Sequence, residues 1–218
     1  MYCAFIEKGM RLNFETIDGR LFFMRRPCCY VDNNLSTEVL NSSIPFETAD
    51  SIFDHISVKW YNEYLKENKQ LPPQCISCIN AEKMGMESHR TYYNKRSSEF
   101  ADYDISRLDI MLGTKCNLAC ACCTSNSSSL IEAISKKLDE APFGWNKNVV
   151  QQPNPEDLSQ AIADILLKYR VHTLKIIGGE PFLKENWSKV ADVAKNGFAK
   201  DINLETTTNG TIINREII

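Results

Sequence analysis

In the second half of the chain, the spacing of apolar residues alternates between strand-like runs and helix-like stripes. Apolar runs predict strands over 108–112, 171–177 and 202–207. Between the first two, a stripe with a period of 3.6 predicts a helix that Asn154 caps and Pro155 begins. The apolar residues of this stripe are Leu158, Ala161, Ile162, Ile165 and Leu166. The alternation of strand and helix predicts a parallel α/β sheet with right-handed crossovers.

Two further helices complete this alternation. Ser127 or Ser128 is a candidate cap for a helix that follows the first strand, with apolar positions Leu130, Ile131, Ile134 and Leu138. Another helix is predicted between the second and third strands and ends at Gly197. Its inner face comprises Trp187, Val190, Val193 and Ala194.

The first hundred residues have a different pattern. Strand-like segments over 11–17 and 20–26 are joined by Asp18-Gly19, which predicts a two-residue β-hairpin. A helix is predicted to start at Thr48, to carry apolar residues through Trp60, and to end before prolines 72 and 73. The hairpin brings Cys3 toward Cys28 and Cys29, and the helix leads to Cys75 and Cys78. These cysteine positions can therefore converge.

Composition narrows the class of protein. The 218 residues are 43% hydrophobic and 24% charged, which is typical of a globular chain. A net charge of −3 with dispersed Lys and Arg gives no indication of nucleic-acid binding. No apolar run approaches the roughly 20 residues of a membrane span, and the first residues lack a secretory signal, so we expect a cytoplasmic protein without a membrane anchor. Nine tightly spaced cysteines favour metal or cluster binding over disulfides.

Cys116, Cys120 and Cys123 form the most informative motif, because three and then two residues separate them on one loop. Structural metal sites usually have four protein ligands, whereas reactive sites keep one position for water or substrate. Three thiolates therefore predict an iron–sulfur cluster with one open iron. A structural zinc knuckle or buried free thiols are the alternatives.

The chain resembles the radical SAM superfamily in three motifs that occur in the family's order. The cysteine loop follows the first predicted strand, 176–181 resembles the Gly-Gly-Glu-Pro motif after the second strand, and 204–210 resembles the end of the third. One departure is Cys122, which stands where the family usually has a bulky residue. We nevertheless expect Cys123 to be the third ligand, since Cys122 would give the wrong spacing.

The resemblance implies a [4Fe-4S] cluster on Cys116, Cys120 and Cys123 that reductively cleaves S-adenosylmethionine to a 5′-deoxyadenosyl radical. That radical would abstract hydrogen from a substrate, which in relatives is often a peptide or protein. The implied cofactor-binding residues are Gly178, Gly179, Glu180, Thr208 and Asn209. A flavodoxin or ferredoxin would supply the electron.

The N-terminal part resembles the twitch module, which holds an auxiliary cluster in some radical SAM proteins. The matching features include the Cys-Cys pair after the hairpin, the 73–78 segment, and the following Glu82, Gly85, Ser88 and Arg90. The implied ligands of a second iron–sulfur cluster are Cys3, Cys28, Cys75 and Cys78, with Cys29 a spare. The two cysteine pairs are equally compatible with one zinc ion.

These features predict a twitch-like module over 1–100 and the N-terminal part of a radical SAM core over 101–218. The expected fold is α/β, a partial (β/α) barrel truncated after three strands and preceded by a small hairpin-plus-helix module rich in cysteine. The alternative function is a non-catalytic iron–sulfur or zinc module, a truncated relative. His55, His89 and His172 are expected to be structural, because none belongs to a cluster of ligand residues in the sequence.

Overall fold

The structure is a computed structural model that describes residues 3–28, 31, 42–125, 127–138, 152–183 and 202–212. The elements of its first half are α1 (Ala4–Lys8), β1 (Gly9–Ile17), β2 (Arg20–Arg26), β3 (Ile44–Pro45), α2 (Ser51–Asp54), α3 (Ile56–Asn68), α4 (Ile76–Lys83) and α5 (His89–Lys95). Those of its second half are β4 (Ile105–Met111), α6 (Ser129–Ser135), α7 (Pro155–Lys168), β5 (Val171–Ile177) and β6 (Asn203–Thr206). The helix predicted around Trp187 lies outside the described residues.

The described strands form one mixed sheet in the order β3-β2-β1-β4-β5-β6. The pairs β4–β5 and β5–β6 are parallel, as the alternation of strand and helix predicts. The prediction of an α/β fold is therefore confirmed, while the partial barrel of radical SAM type stays a prediction. Parallel strands place the loops after β4, β5 and β6 at one edge of the sheet, the edge where α/β folds bind ligands.

Local signals predicted the hairpin and the long helix of the second half correctly. Asp18 and Gly19 have φ of 49° and 74°, as a type I′ turn requires, and β1 and β2 pair antiparallel. Asn154 caps α7 by accepting a hydrogen bond from the Glu156 N–H at 2.9 Å. The buried face of α7 is the predicted stripe, Leu158, Ala161, Ile162, Ile165 and Leu166.

The hairpin belongs to the same sheet as β4, the strand before the cysteine loop, which the sequence pattern did not indicate. β1 pairs in parallel with β4, with Leu12 opposite Ile110 and Asn13 opposite Met111. One face of this sheet carries the main hydrophobic core, which packs Leu12 and Phe14 of the hairpin with Ile110. The domain boundary at residue 100 stays a prediction, but the segments before and after it share one sheet and one hydrophobic core.

The helix predicted from Thr48 is interrupted at His55. α2 ends at Asp54, and His55 is extended and caps α3, with its Nδ1 accepting a hydrogen bond from the Ser57 N–H at 3.2 Å. In the described part of the chain, no helix combines the length and apolar character needed to cross a bilayer.

Candidate metal centre

The cysteine loop, residues 113–128, leaves β4 and is tied to the start of α6. The Thr114 carbonyl accepts a hydrogen bond from the Ser129 N–H at 2.7 Å, and the Cys116 N–H donates to Ser129 Oγ at 3.2 Å. Ser128, one of the two predicted cap candidates, caps α6. Its hydroxyl donates a hydrogen bond to the Leu118 carbonyl at 2.9 Å. A loop held at both ends presents its cysteines on a defined backbone.

The three predicted ligand cysteines of this loop are half-buried free thiols, whereas Cys122 is exposed. The Cys123 N–H donates to the Cys120 carbonyl at 3.0 Å, which closes a tight turn between the two residues. Burial, together with the neighbouring Cys122, Cys120 and Cys116, raises the pKa of Cys123 to about 11. Crowded thiolates repel one another, and the positive charge of bound iron would relieve that repulsion, so the donor set suits a cluster.

The loop after β5 packs against the cysteine loop through two glycines. Gly178 and Gly179 have φ of 96° and 55°, a backbone conformation that other residues rarely adopt. A β-carbon on Gly178 would lie 2.4 Å from the Gly113 carbonyl oxygen, and one on Gly179 would lie 2.0 Å from the Lys115 carbonyl oxygen. The glycines therefore allow the backbone to approach the cysteine loop. Their contact with a ligand stays a prediction.

Glu180 connects the loop after β5 to the loop after β6. Its side chain is fully buried. One carboxylate oxygen accepts hydrogen bonds from the Thr208 hydroxyl at 2.7 Å and the Phe182 N–H at 3.0 Å, and the other accepts from the Asn209 N–H at 2.8 Å. These bonds satisfy both oxygens of the buried carboxyl group and fix the loop after β6. The predicted bond from Glu180 to a ligand ammonium stays a prediction.

Asn209 connects the third motif to the first cysteine. Its side-chain amide donates to Asn117 Oδ1 at 2.9 Å and lies 3.9 Å from Cys116 Sγ. The Leu118 N–H also points at Cys116 Sγ, at 3.5 Å. N–H donors to cysteine sulfur are among the features that set the reduction potential of a bound cluster. The three sequence motifs therefore meet at one place.

Sequence reasoning missed the residues that hold the loop from outside. Gln152 accepts a hydrogen bond from the Thr114 N–H at 3.0 Å and donates to the Thr114 hydroxyl at 3.2 Å. Asn117 donates to the Thr211 hydroxyl at 2.8 Å. Gln152 stands in a polar stretch without periodicity, and Asn117 lies between the cysteines, so neither carried a signal beyond its place in the sequence.

A second set of cysteines gathers near α1. Cys3, Cys28, Cys75 and Cys78 all line one small pocket, as the hairpin and the helix break predicted. Burial raises the pKa of Cys3, and burial together with Cys3 and Cys78 raises that of Cys75 to about 12. The predicted convergence is confirmed. The spare Cys29 lies outside the described residues.

Arg90, one of the residues in which the chain resembles the twitch module, also lines this pocket. Its guanidinium forms a bidentate ion pair with Glu82. The Glu82 carboxylate also accepts a hydrogen bond from the Ser88 hydroxyl at 2.6 Å. The hydrogen bond from Arg90 holds the pKa of Glu82 below its ordinary value. Ser88 in turn caps α5 through a capping box with Thr91.

Across the described ranges, no three His, Cys, Asp or Glu side chains are arranged to hold a single metal ion. Thiolates around one zinc ion stand about 3.8 Å apart, given Zn–S bonds of about 2.3 Å in a tetrahedron. Thiolates on a cubane bind different irons and stand further apart. The assignment of individual cysteines as ligands stays a prediction at both sites.

A family model described as a 4Fe-4S single cluster domain matches residues 106–215, just over half of the chain. The matched region runs from β4 past β6 and contains Cys116, Cys120 and Cys123 together with 176–181 and 204–210. Comparison with the curated proteins and with the solved structures gives no match. The cysteine loop thus lies in a cluster-binding domain, and the chain belongs to the family of 4Fe-4S single cluster domains.

Proposed function

We propose that this chain is a radical SAM protein whose [4Fe-4S] cluster is held by Cys116, Cys120 and Cys123. The observation that carries the proposal is the meeting of three loops at one sheet edge, because Lys115 contacts Gly179 and Cys116 contacts Asn209. A domain that only stores a cluster needs its ligands but has no need for two further loops beside them. A site that also holds a small molecule needs such loops.

The residues of the site then have distinct roles. Cys116, Cys120 and Cys123 would hold the cluster through three thiolates, and the missing fourth protein ligand would leave room for the amino and carboxylate groups of S-adenosylmethionine. When bound and reduced, the cluster supplies the electron that cleaves the sulfonium to methionine and a 5′-deoxyadenosyl radical for hydrogen abstraction. The protein positions the groups and excludes competing reactions.

The loops after β5 and β6 would bind the methionyl and ribose parts of the cofactor. We propose that Gly178, Gly179 and Glu180 serve its amino group, and that Thr208 and Asn209 serve its carboxylate or ribose. The carboxylate of Glu180 would act largely by positioning, since it accepts hydrogen bonds from the Thr208 hydroxyl and the Asn209 N–H. Its negative charge would still favour a nearby ammonium.

Production of 5′-deoxyadenosine by anaerobically reconstituted protein tests this function. We expect turnover with dithionite and S-adenosylmethionine in the wild type and in Cys122→Ala, because Cys122 is exposed and is not a proposed ligand. Cys120→Ala should lose activity by at least about a hundredfold along with most of the cluster iron. Activity that survives in Cys120→Ala would reject the ligand assignment.

We further propose that Cys3, Cys28, Cys75 and Cys78 hold an auxiliary iron–sulfur cluster. Two [4Fe-4S] clusters would give about eight irons and eight sulfides per chain. Cys75→Ser should lower both counts to about four, while Cys122→Ser leaves them unchanged. About four irons, four sulfides and one zinc ion per chain would instead assign this site to a single zinc ion.

The partners follow from this chemistry. We propose a flavodoxin or ferredoxin as electron donor and a peptide or protein as substrate. The second candidate function is cluster binding without turnover, which is favoured by a family match that concerns the cluster domain alone. A reconstituted chain that binds S-adenosylmethionine but forms no 5′-deoxyadenosine would support that alternative.

A further inference from the structure

A cavity of about 250 Å³ lies beside the cysteine loop, on the side of the hairpin. We call it the arginine pocket. It is lined by Arg11, Glu15 and Arg26 of the hairpin and by Gly113, Thr114 and Thr124 of the cysteine loop. Since Thr114 is two residues before Cys116, a molecule in this pocket would lie next to the proposed cluster.

The strand register explains why charged side chains gather here. Side chains alternate between the two faces of a strand, so Arg11, Asn13 and Glu15 share one face of β1. Leu12 lies on the other face, in the hydrophobic core. The polar face of the hairpin therefore forms a wall of the pocket.

Arg11 and Arg26 stand directly opposite each other across β1 and β2. Like charges at such paired positions destabilise a sheet. The side-chain hydrogen bonds of Arg11 go to neutral acceptors, Asn13 Oδ1 at 3.3 Å and Met111 Sδ at 3.9 Å. Asp109 lies opposite Arg11 on β4, where its carboxylate is paired with Arg107 at 2.8 Å. Arg26 is buried, and burial together with the charge of Arg11 lowers its pKa to about 10. Because both arginines line the pocket, an anion bound there would lie beside them, and its charge would oppose their mutual repulsion.

The charges of the pocket favour a single negative charge. Among its described lining residues, two are cationic, Arg11 and Arg26, and one is anionic, Glu15, whose carboxylate accepts a hydrogen bond from Ser43. Together they carry a net charge of about +1, and Glu15 would repel a phosphate dianion. The volume is slightly below the 300–1,000 Å³ of typical ligand pockets, so it suits one side chain or chain terminus.

We propose that the arginine pocket binds one carboxylate of a peptide between Arg11 and Arg26 and so holds the substrate beside the cysteine loop. Guanidinium groups bind carboxylates through paired N–H donors, which gives both affinity and a defined orientation. The identification of the bound peptide as substrate rests on the proposed function, while the binding itself does not.

Nuclear magnetic resonance titration of the 218-residue chain, purified anaerobically, tests the binding. The probes are acetyl-Glu-amide with only a side-chain carboxylate, acetyl-Gln with only a terminal carboxylate, and acetyl-Gln-amide with neither. We expect one of the two acids to shift the arginine Nε–H signals, and the neutral probe to bind at least about tenfold more weakly. The preferred acid identifies the source of the carboxylate.

Arg11→Gln should weaken binding of the preferred acid by at least about tenfold. Arg20→Gln is the matched control, because Arg20 lies on the same hairpin but is exposed and paired with Glu47. If Arg11→Gln does not fold, Arg11→Lys keeps the charge and should still weaken binding, since it loses the planar fork.

Equal binding of the acids and the neutral probe would overturn the proposal, as would a stronger response to inorganic phosphate. An Arg11→Gln variant that binds like the wild type would do the same. Because no probe requires S-adenosylmethionine or turnover, failure here is distinguishable from failure of the 5′-deoxyadenosine assay.

Discussion

Gly179 combines a positive φ with a close approach of its backbone to the cysteine loop. The resemblance implied that Gly178 and Gly179 bind the cofactor. The structure places the Lys115 carbonyl beside Gly179, 2.0 Å from where a β-carbon of Gly179 would lie. A glycine pair indicates that something comes near, but the neighbour is distant in sequence and could not be identified from it.

Gly179→Ala should lower the free energy of unfolding by at least about 3 kcal/mol. The positive φ alone costs roughly 1–2 kcal/mol, and the clash with a backbone carbonyl adds to it. Gly85→Ala is the matched control, because Gly85 has a φ of 71° and open space around its β-carbon position. Urea denaturation measures both variants. Equal losses would show that the contact with Lys115 contributes little.

Secondary-structure elements with local sequence signals were predicted correctly, whereas strand pairing between distant segments was not predicted. Asn154 and Pro155 predicted the start of α7, and Asp18-Gly19 predicted the hairpin, because each acts within a few residues. The parallel pairing of β1 with β4 joins segments about a hundred residues apart, and neither strand encodes its partner. The break at His55 depends likewise on a tertiary contact, the carbonyl of Ser42.

His55 should make the capping of α3 sensitive to acid. It is 1% exposed, and burial lowers its pKa below the ordinary value of 6.5. The unfolded chain then binds more protons than the folded one below that pH, so the stabilisation is complete above about 6.5 and declines as the pH falls.

His55→Asn keeps a side-chain acceptor for the helix cap but cannot titrate. We expect the difference in free energy of unfolding between wild type and His55→Asn to shrink as the pH falls from about 7 to about 5. Urea denaturation at several pH values measures this difference. A difference that stays constant over that range would show that His55 is not held neutral by the fold.

The two cysteine sites lie toward opposite ends of the strands of the sheet. Cys3 precedes β1 and Cys28 follows β2, so both lie toward the edge where β4 begins, whereas the cysteine loop follows its end. The seven residues of β4 span about 20 Å. The arginine pocket is on the hairpin side of the cysteine loop, so the N-terminal segment also lines the cavity beside that loop.

We propose that Cys116, Cys120 and Cys123 hold a cluster whose open iron binds S-adenosylmethionine. Electron paramagnetic resonance of the dithionite-reduced protein tests this proposal. We predict a reduced-cluster signal that changes on addition of S-adenosylmethionine in wild type and in Cys122→Ala, and no such response in Cys116→Ala. A wild-type spectrum that is unaffected by S-adenosylmethionine would contradict the claim.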